Sequence, residues 1–210
     1  MTQQSVSGRQ KGTHTVTFCL PSSNLCRPSN IKVISQPDGK MLPSQRINID
    51  IYALPSYDRR PMMLRNIYGV DMGTYGLILQ AQSREEIMAD KIVALALRPN
   101  RLKNRDLWDL VWLKQQGVES ARHLVADKLR DRRIETDQFL EAVHERLLTL
   151  DGDPAVRRSF IDEMKRFLPG EIVTATIMGE NFWQYLCFVV REECVKVAEV
   201  LRGSAGHAGI

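Results

Sequence analysis

Apolar and polar positions change rhythm near residue 80, from short alternating runs before it to the three-to-four spacing of helices after it. Thr13–Leu20, Ile31–Ser35 and Arg46–Ala53 alternate and read as strands, separated by Pro-Ser-Ser-Asn and Pro-Asp-Gly turn signals. The tract Pro55–Thr74 reads as loop, followed by a short strand at Gly76–Gln80. Ser83-Arg-Glu-Glu86 has the form of a capping box, in which the serine hydroxyl and Glu86 satisfy free backbone amides. A helix should therefore begin there, run to about Leu97 and stop at Pro99. Asn104 is placed to cap a second helix from Arg105 to about Gln116, with Gly117 as its C-terminal stop. Further helices are expected near 119–132, 137–150, 155–167 and 181–202, Asp153-Pro154 being a start signal for the third of these. The ends, 1–12 and 203–210, read as flexible, and the chain divides into an α+β core over 13–117 and a helical domain over 118–202.

Composition narrows the class. The 210 residues, 43% hydrophobic and 26% charged, suffice for one large or two small domains with their own cores. The longest apolar stretch, Phe182 to Val190, is broken by Gln184 and falls well short of the roughly 20 residues a bilayer crossing needs. No membrane span is expected, and the polar opening MTQQSVSGRQKG carries no leader, so the cytoplasm is the expected compartment. Cys19 and Cys26, like Cys187 and Cys194, lack a neighbouring histidine or a Cys-x-x-Cys spacing, which argues for small buried hydrophobes over zinc ligands. A formal charge of +4 permits nucleotide or nucleic-acid binding without demanding it. Basic residues gather at Arg98–Arg105, which is open between a ligand site and a solvated loop, and at Lys128–Arg133, which reads as a solvated helix face.

Lys91 is the first residue to carry chemistry. At 100° per residue from Ile87, Lys91, Leu95, Met88 and Ile92 fall at about 40°, 80°, 100° and 140°, so the lysine rises from an apolar arc. An ammonium there is either aimed at an anion, a carboxylate or a ligand phosphate, or has its stem packed and its head in water. Asp106 repeats the pattern between Leu110 and Leu113, although a carboxylate in a first helical turn also offsets the helix dipole. Asp109 lies one turn on, and Arg105 could form a bidentate contact with a phosphate or carboxylate. Two successive helices could thus join a cation to an acid, as a structural ion pair or as part of a site. On the strand Ile47-Asn48-Ile49-Asp50-Ile51, alternation puts Asn48 and Asp50 opposite three isoleucines, on a face that holds either water or a site.

These residues resemble the paired motifs of the AbiEii/AbiGii abortive-infection nucleotidyltransferase toxins. In that family an alanine and an acid precede a lysine, an apolar helix follows, and a basic residue, Arg-Asp, two residues and Asp-Leu close the pattern. Ala89-Asp90-Lys91 and Arg105-Asp106-Leu107-Trp108-Asp109-Leu110 match it, and Asn48-Ile49-Asp50-Ile51 stands where the family's later carboxylate strand would fall. The resemblance covers roughly residues 14–115. It implies a polymerase-beta-like sheet with flanking helices, followed by a helical C-terminal domain.

It further implies magnesium-dependent transfer of a nucleotide from a nucleoside triphosphate to an RNA or protein acceptor, transfer RNA in some members, and a cognate antitoxin encoded nearby. By this resemblance Lys91 and Asp106 are the catalytic pair, Lys91 and Arg105 meet the phosphates, Asp50 is a metal ligand, and Asp109 and Asp90 support the site. The glycine turn and Asp-x-Asp strand that open the family's pattern have no counterpart before Thr13, which suggests an incomplete N-terminal part. The literal Asp151-Gly152-Asp153 is a loop and helix cap. Two functions follow: an active nucleotidyltransferase toxin, or a truncated, non-catalytic relative that acts by binding. A basic helical nucleic-acid binder is a third, without a recognisable reading motif.

Overall fold

The computed structural model describes residues 29–35, 45–51, 54–65, 76–99 and 101–205, with side chains for 54–65, 76–99 and 101–203. The expected strand at 13–20 and both Cys19 and Cys26 lie outside the described residues. The protein is mixed α and β with helix predominating, and its chain falls into two compact units, Met1–Pro55 and Ser56–Ile210.

In the first unit, β1 (Ser29–Ser35) and β2 (Gln45–Ile51) form an antiparallel ribbon in which Ser29 stands opposite Ile51 and Ser35 opposite Gln45. Both strands fall where alternation places them. In the second unit, β3 (Arg59–Met63) pairs antiparallel with β4 (Ile78–Gln82), so the tract read as loop contains a strand. Arg-Arg-Pro-Met-Met has no alternation to reveal it, and all five residues are exposed, because this ribbon has no buried face over β3. Pro61 is tolerated opposite Gln80 since each strand of a two-stranded ribbon is an edge, where a missing N–H need not break a ladder.

Five longer helices follow: α1 (Arg84–Leu97), α2 (Asn104–Gln115), α3 (Val125–Asp131), α4 (Thr136–Gly152) and α5 (Pro154–Met164). A short turn, α6 (Gly170–Ile172), then runs through a π-helical segment at Val173–Ile177 into the long α7 (Glu180–Ala205). The predicted helix at 119–132 is shorter than its pattern, being a 3-10 turn at Arg122–Leu124 followed by α3. Residues 203–205, expected in a flexible end, complete the last turn of α7.

Local signals explain most boundaries. Ser83 Oγ accepts from the Glu86 N–H at 3.0 Å, and Asp153 Oδ1 accepts from the Ala155 N–H at 2.8 Å ahead of Pro154. α2 ends in a Schellman arrangement: Gly117 N–H donates to Lys114 O and Val118 N–H to Leu113 O, with Gly117 at φ 72°, the left-handed conformation that glycine adopts freely. Asn104 departs from expectation. It is the first residue of α2, caps nothing, and donates from Nδ2 to Ser159 Oγ and Glu163 Oε2, each at 3.0 Å.

The helical core is built from the faces the 3.6-residue period exposes. Met88 and Ile92 of α1, Leu107 and Leu110 of α2, Phe139 of α4 and Leu186 of α7 are all fully buried. Each such side chain contributes roughly 1.5–3 kcal/mol on leaving water. α1 packs on α2 and α4, and α2 on α7, so helices on both sides of residue 117 share this core within one unit.

Candidate functional site

The α1–α2 pair brings together the cation and the acid that the sequence placed on apolar faces. Lys91 Nζ lies 2.8 Å from Asp106 Oδ1 and 2.5 Å from Asp109 Oδ2. Asp106 and Asp109, three residues apart on α2, share a helical face and hold the ammonium between them. The Asp106 side chain is 5% exposed, whereas those of Lys91 and Asp109 are 27% and 39% exposed, so the cluster is sealed on one side and open on the other. Asp106 Oδ2 is buried without a hydrogen bond, and its compensation is Arg98 Nη2 at 3.3 Å. Burial disfavours the Lys91 ammonium, but the hydrogen bonds to Asp106 and Asp109 outweigh it and raise its pKa above the ordinary lysine value. Lys91 is therefore a firmly charged cation at a partly open surface.

The remaining predicted site residues lie elsewhere. Arg105 does not join Lys91: its Nε sits 3.2 Å from Glu163 Oε1 and its guanidinium lies 3.9 Å above the Phe167 ring. It immediately precedes Asp106, and that single step turns its side chain about 100° round the helix, toward Glu163 of α5. Asp90, for the same reason, faces away from Lys91. It accepts from Gln82 Nε2 at 2.6 Å, from Lys128 Nζ at 3.0 Å and from Arg132 Nη2 at 3.4 Å. Asp50 is on β2 opposite Asn30, in the other unit, and its side chain lies outside the described residues.

A second cluster was hidden from the sequence reading. Lys128, expected on a solvated face, is 2% exposed and donates to Glu86 Oε1 at 2.6 Å as well as to Asp90. Its signal was present, since Val125, Lys128 and Leu129 have the i, i+3, i+4 spacing of a buried stripe. Glu86 does not close the second half of a capping box; the Ser83 N–H donates to Asp58 O instead. The Glu86 carboxylate accepts from the Tyr57 and Asp58 N–H groups at 3.0 and 2.7 Å and from Ser56 Oγ at 2.9 Å. Burial pushes its pKa up, but the Lys128 ammonium and these donors prevail and hold it at about 2. This cluster ties the chain entering β3 to α1 and α3. Arg98 also went unmarked as an Asp106 partner because it lies beyond the end of α1.

Asp106 and Asp109 share the single Lys91 ammonium, and among the described residues no three metal-ligating side chains gather. Cys194 is buried in the core and Cys187 is half-buried against it; burial raises the pKa of Cys187 to about 11 and that of Cys194 to about 12. Among the described residues no helix is long and apolar enough to cross a membrane.

Two small antiparallel ribbons, a helical body and a lysine of α1 shared by two aspartates of α2 thus make up the described architecture. The family model of the nucleotidyl transferase AbiEii toxins of type IV toxin-antitoxin systems matches residues 2–186, and the chain belongs to that family. The match extends on both sides of the motif-bearing region 83–113 and takes in both units. Membership makes the protein a toxin component of a type IV system and implies a cognate antitoxin. Neither the curated proteins nor the solved structures give a match.

Proposed function

We propose that the protein transfers a nucleotide from a nucleoside triphosphate to an RNA or protein acceptor in the cytoplasm, using the half-open Lys91–Asp106–Asp109 cluster. The observation that carries this reading is the charged Lys91 ammonium, held at 2.8 Å from a buried carboxylate and reachable from solvent on its other side. An acceptor hydroxyl would attack the α-phosphorus, forming a new phosphate ester and releasing pyrophosphate, while negative charge builds on the phosphate oxygens. Lys91 would keep Asp106 as its fixed partner and exchange the more exposed Asp109 for a phosphate oxygen. Arg98 would hold Asp106 in place from the opposite oxygen. Magnesium is the expected cofactor, supplying charge neutralisation at the phosphates, with Asp50 as its sequence candidate ligand, and a polymerase-beta-like arrangement is the expected frame.

The test is incorporation of labelled nucleoside triphosphates into total RNA and protein, with and without magnesium, by the wild type, Lys91→Gln and Asp106→Asn. Magnesium-dependent labelling that collapses in both variants supports the reading. Labelling that is absent in the wild type, or equal in all three, overturns it in favour of a non-catalytic binding relative.

A further inference from the structure

A cavity of about 520 Å³ lies on the side of α2 away from Lys91, where the 101–105 segment meets the end of α4 and the start of α5. Four cations line it, Arg101, Lys103, Arg105 and Arg146, against two acids, Asp153 and Glu163. Both acids are engaged already. Asp153 Oδ1 caps the Ala155 N–H, and Glu163 receives Arg105 at 3.2 Å and Asn104 at 3.0 Å. Arg146 donates to the carbonyl of Arg98 at 2.6 Å, a contact that fixes its position without neutralising its charge. Among the described residues, the side chains of Arg101 and Lys103 have neither hydrogen bond nor ion pair.

Three cations are thus uncompensated around one concavity, and the Ser159 hydroxyl, which accepts from Asn104 and can still donate, lines it as well. The first turns of α2 and α5 add their positive dipole ends to the same space. From these features we propose that the cavity binds backbone phosphates of a single-stranded nucleic acid, the acceptor strand of the transfer reaction. Arg98 links it to the candidate catalytic cluster, because its guanidinium reaches Asp106 while its carbonyl holds Arg146. A nucleoside triphosphate is the other source of the same phosphate chemistry, and it belongs at Lys91. The identity of the strand as acceptor rests on the nucleotidyl-transfer reading, whereas the phosphate site itself does not.

Fluorescence anisotropy with a labelled single-stranded oligoribonucleotide separates the two, using the full chain, the double variant Arg101→Gln/Lys103→Gln, and Lys91→Gln. The substituted side chains make no hydrogen bond or ion pair among the described residues, so a melting scan should show the double variant folded. Its affinity for the oligonucleotide should fall about tenfold, and the salt slope should decrease by about 1.4, the loss of two phosphate contacts on a single strand. Triphosphate binding, read by competition with a labelled nucleoside triphosphate, should be unchanged in the double variant and reduced in Lys91→Gln. Unchanged oligonucleotide affinity and slope would overturn the proposal, as would an equal loss of triphosphate and oligonucleotide binding. If transfer activity proves absent while the oligonucleotide results hold, the reaction fails and the phosphate site stands.

Discussion

Two ion clusters flank α1, built from the same kinds of side chain and differing in access to water. Lys128 with Glu86 is closed: both are almost fully buried, and the carboxylate takes four donors in all. Lys91 with Asp106 is open on one side, and a buried oxygen of Asp106 has no hydrogen bond. A closed cluster has nowhere to receive a ligand, so its work is to hold the chain before β3 against α1 and α3. An open one can exchange a partner, because solvent already competes for its exposed members. Neighbouring positions, Asp90 and Lys91, belong to different clusters only because successive helical residues point about 100° apart.

The comparison breaks most sharply on Lys128→Ala, which leaves Glu86 as a buried charge without its ammonium. Urea denaturation should show a loss of about 3–5 kcal/mol. A loss below about 1 kcal/mol would show that the cluster is not a structural tie. Lys91→Gln should behave in the opposite sense, lowering the transfer rate on the order of 10²–10³-fold while the midpoint of unfolding moves much less than in Lys128→Ala. If the midpoint falls as far as in Lys128→Ala, both clusters are structural.

Acid sharpens the contrast at the closed cluster. The Glu86 pKa falls from an ordinary 4.5 to about 2 on folding, so its stabilisation is present above pH about 4.5 and is lost as pH falls toward 2. The stability gap between the wild type and Glu86→Gln, followed by thermal melting, should therefore shrink across that window. A constant gap would mean that Glu86 is not titrating there. The smallest effect is expected for Asp109→Asn. Its exposure should keep the stability change below about 1 kcal/mol, and the transfer rate should fall less than in Lys91→Gln. A rate loss as large as that of Lys91→Gln would make Asp109, and not Asp106 alone, the partner that matters.

Much of the helical architecture was legible because its signals are local. Ser83, Gly117 and Asp153-Pro154 set helix ends within a few residues of themselves, and the period around Lys91 and Asp106 announced two charges on apolar faces. β3 was not legible, since an exposed ribbon strand needs no alternation and carried a proline besides. Glu86 was misread in part because a residue suited to a capping box can equally accept from a distant lysine. Only the packing of α3 on α1 decides which.

The sequence by itself determined which residues form helices, which faces are apolar, and that residues 83–113 carry the motifs of a nucleotidyltransferase toxin family. Propensity, capping and periodicity act over a few residues, and a linear chain displays them directly. Tertiary structure alone decided that Lys91 meets Asp106 and Asp109, that Arg105 turns to Glu163, and that Lys128 is buried. Those outcomes depend on distances between helices 15 to 58 residues apart in sequence, which side-chain packing fixes and local pattern does not encode.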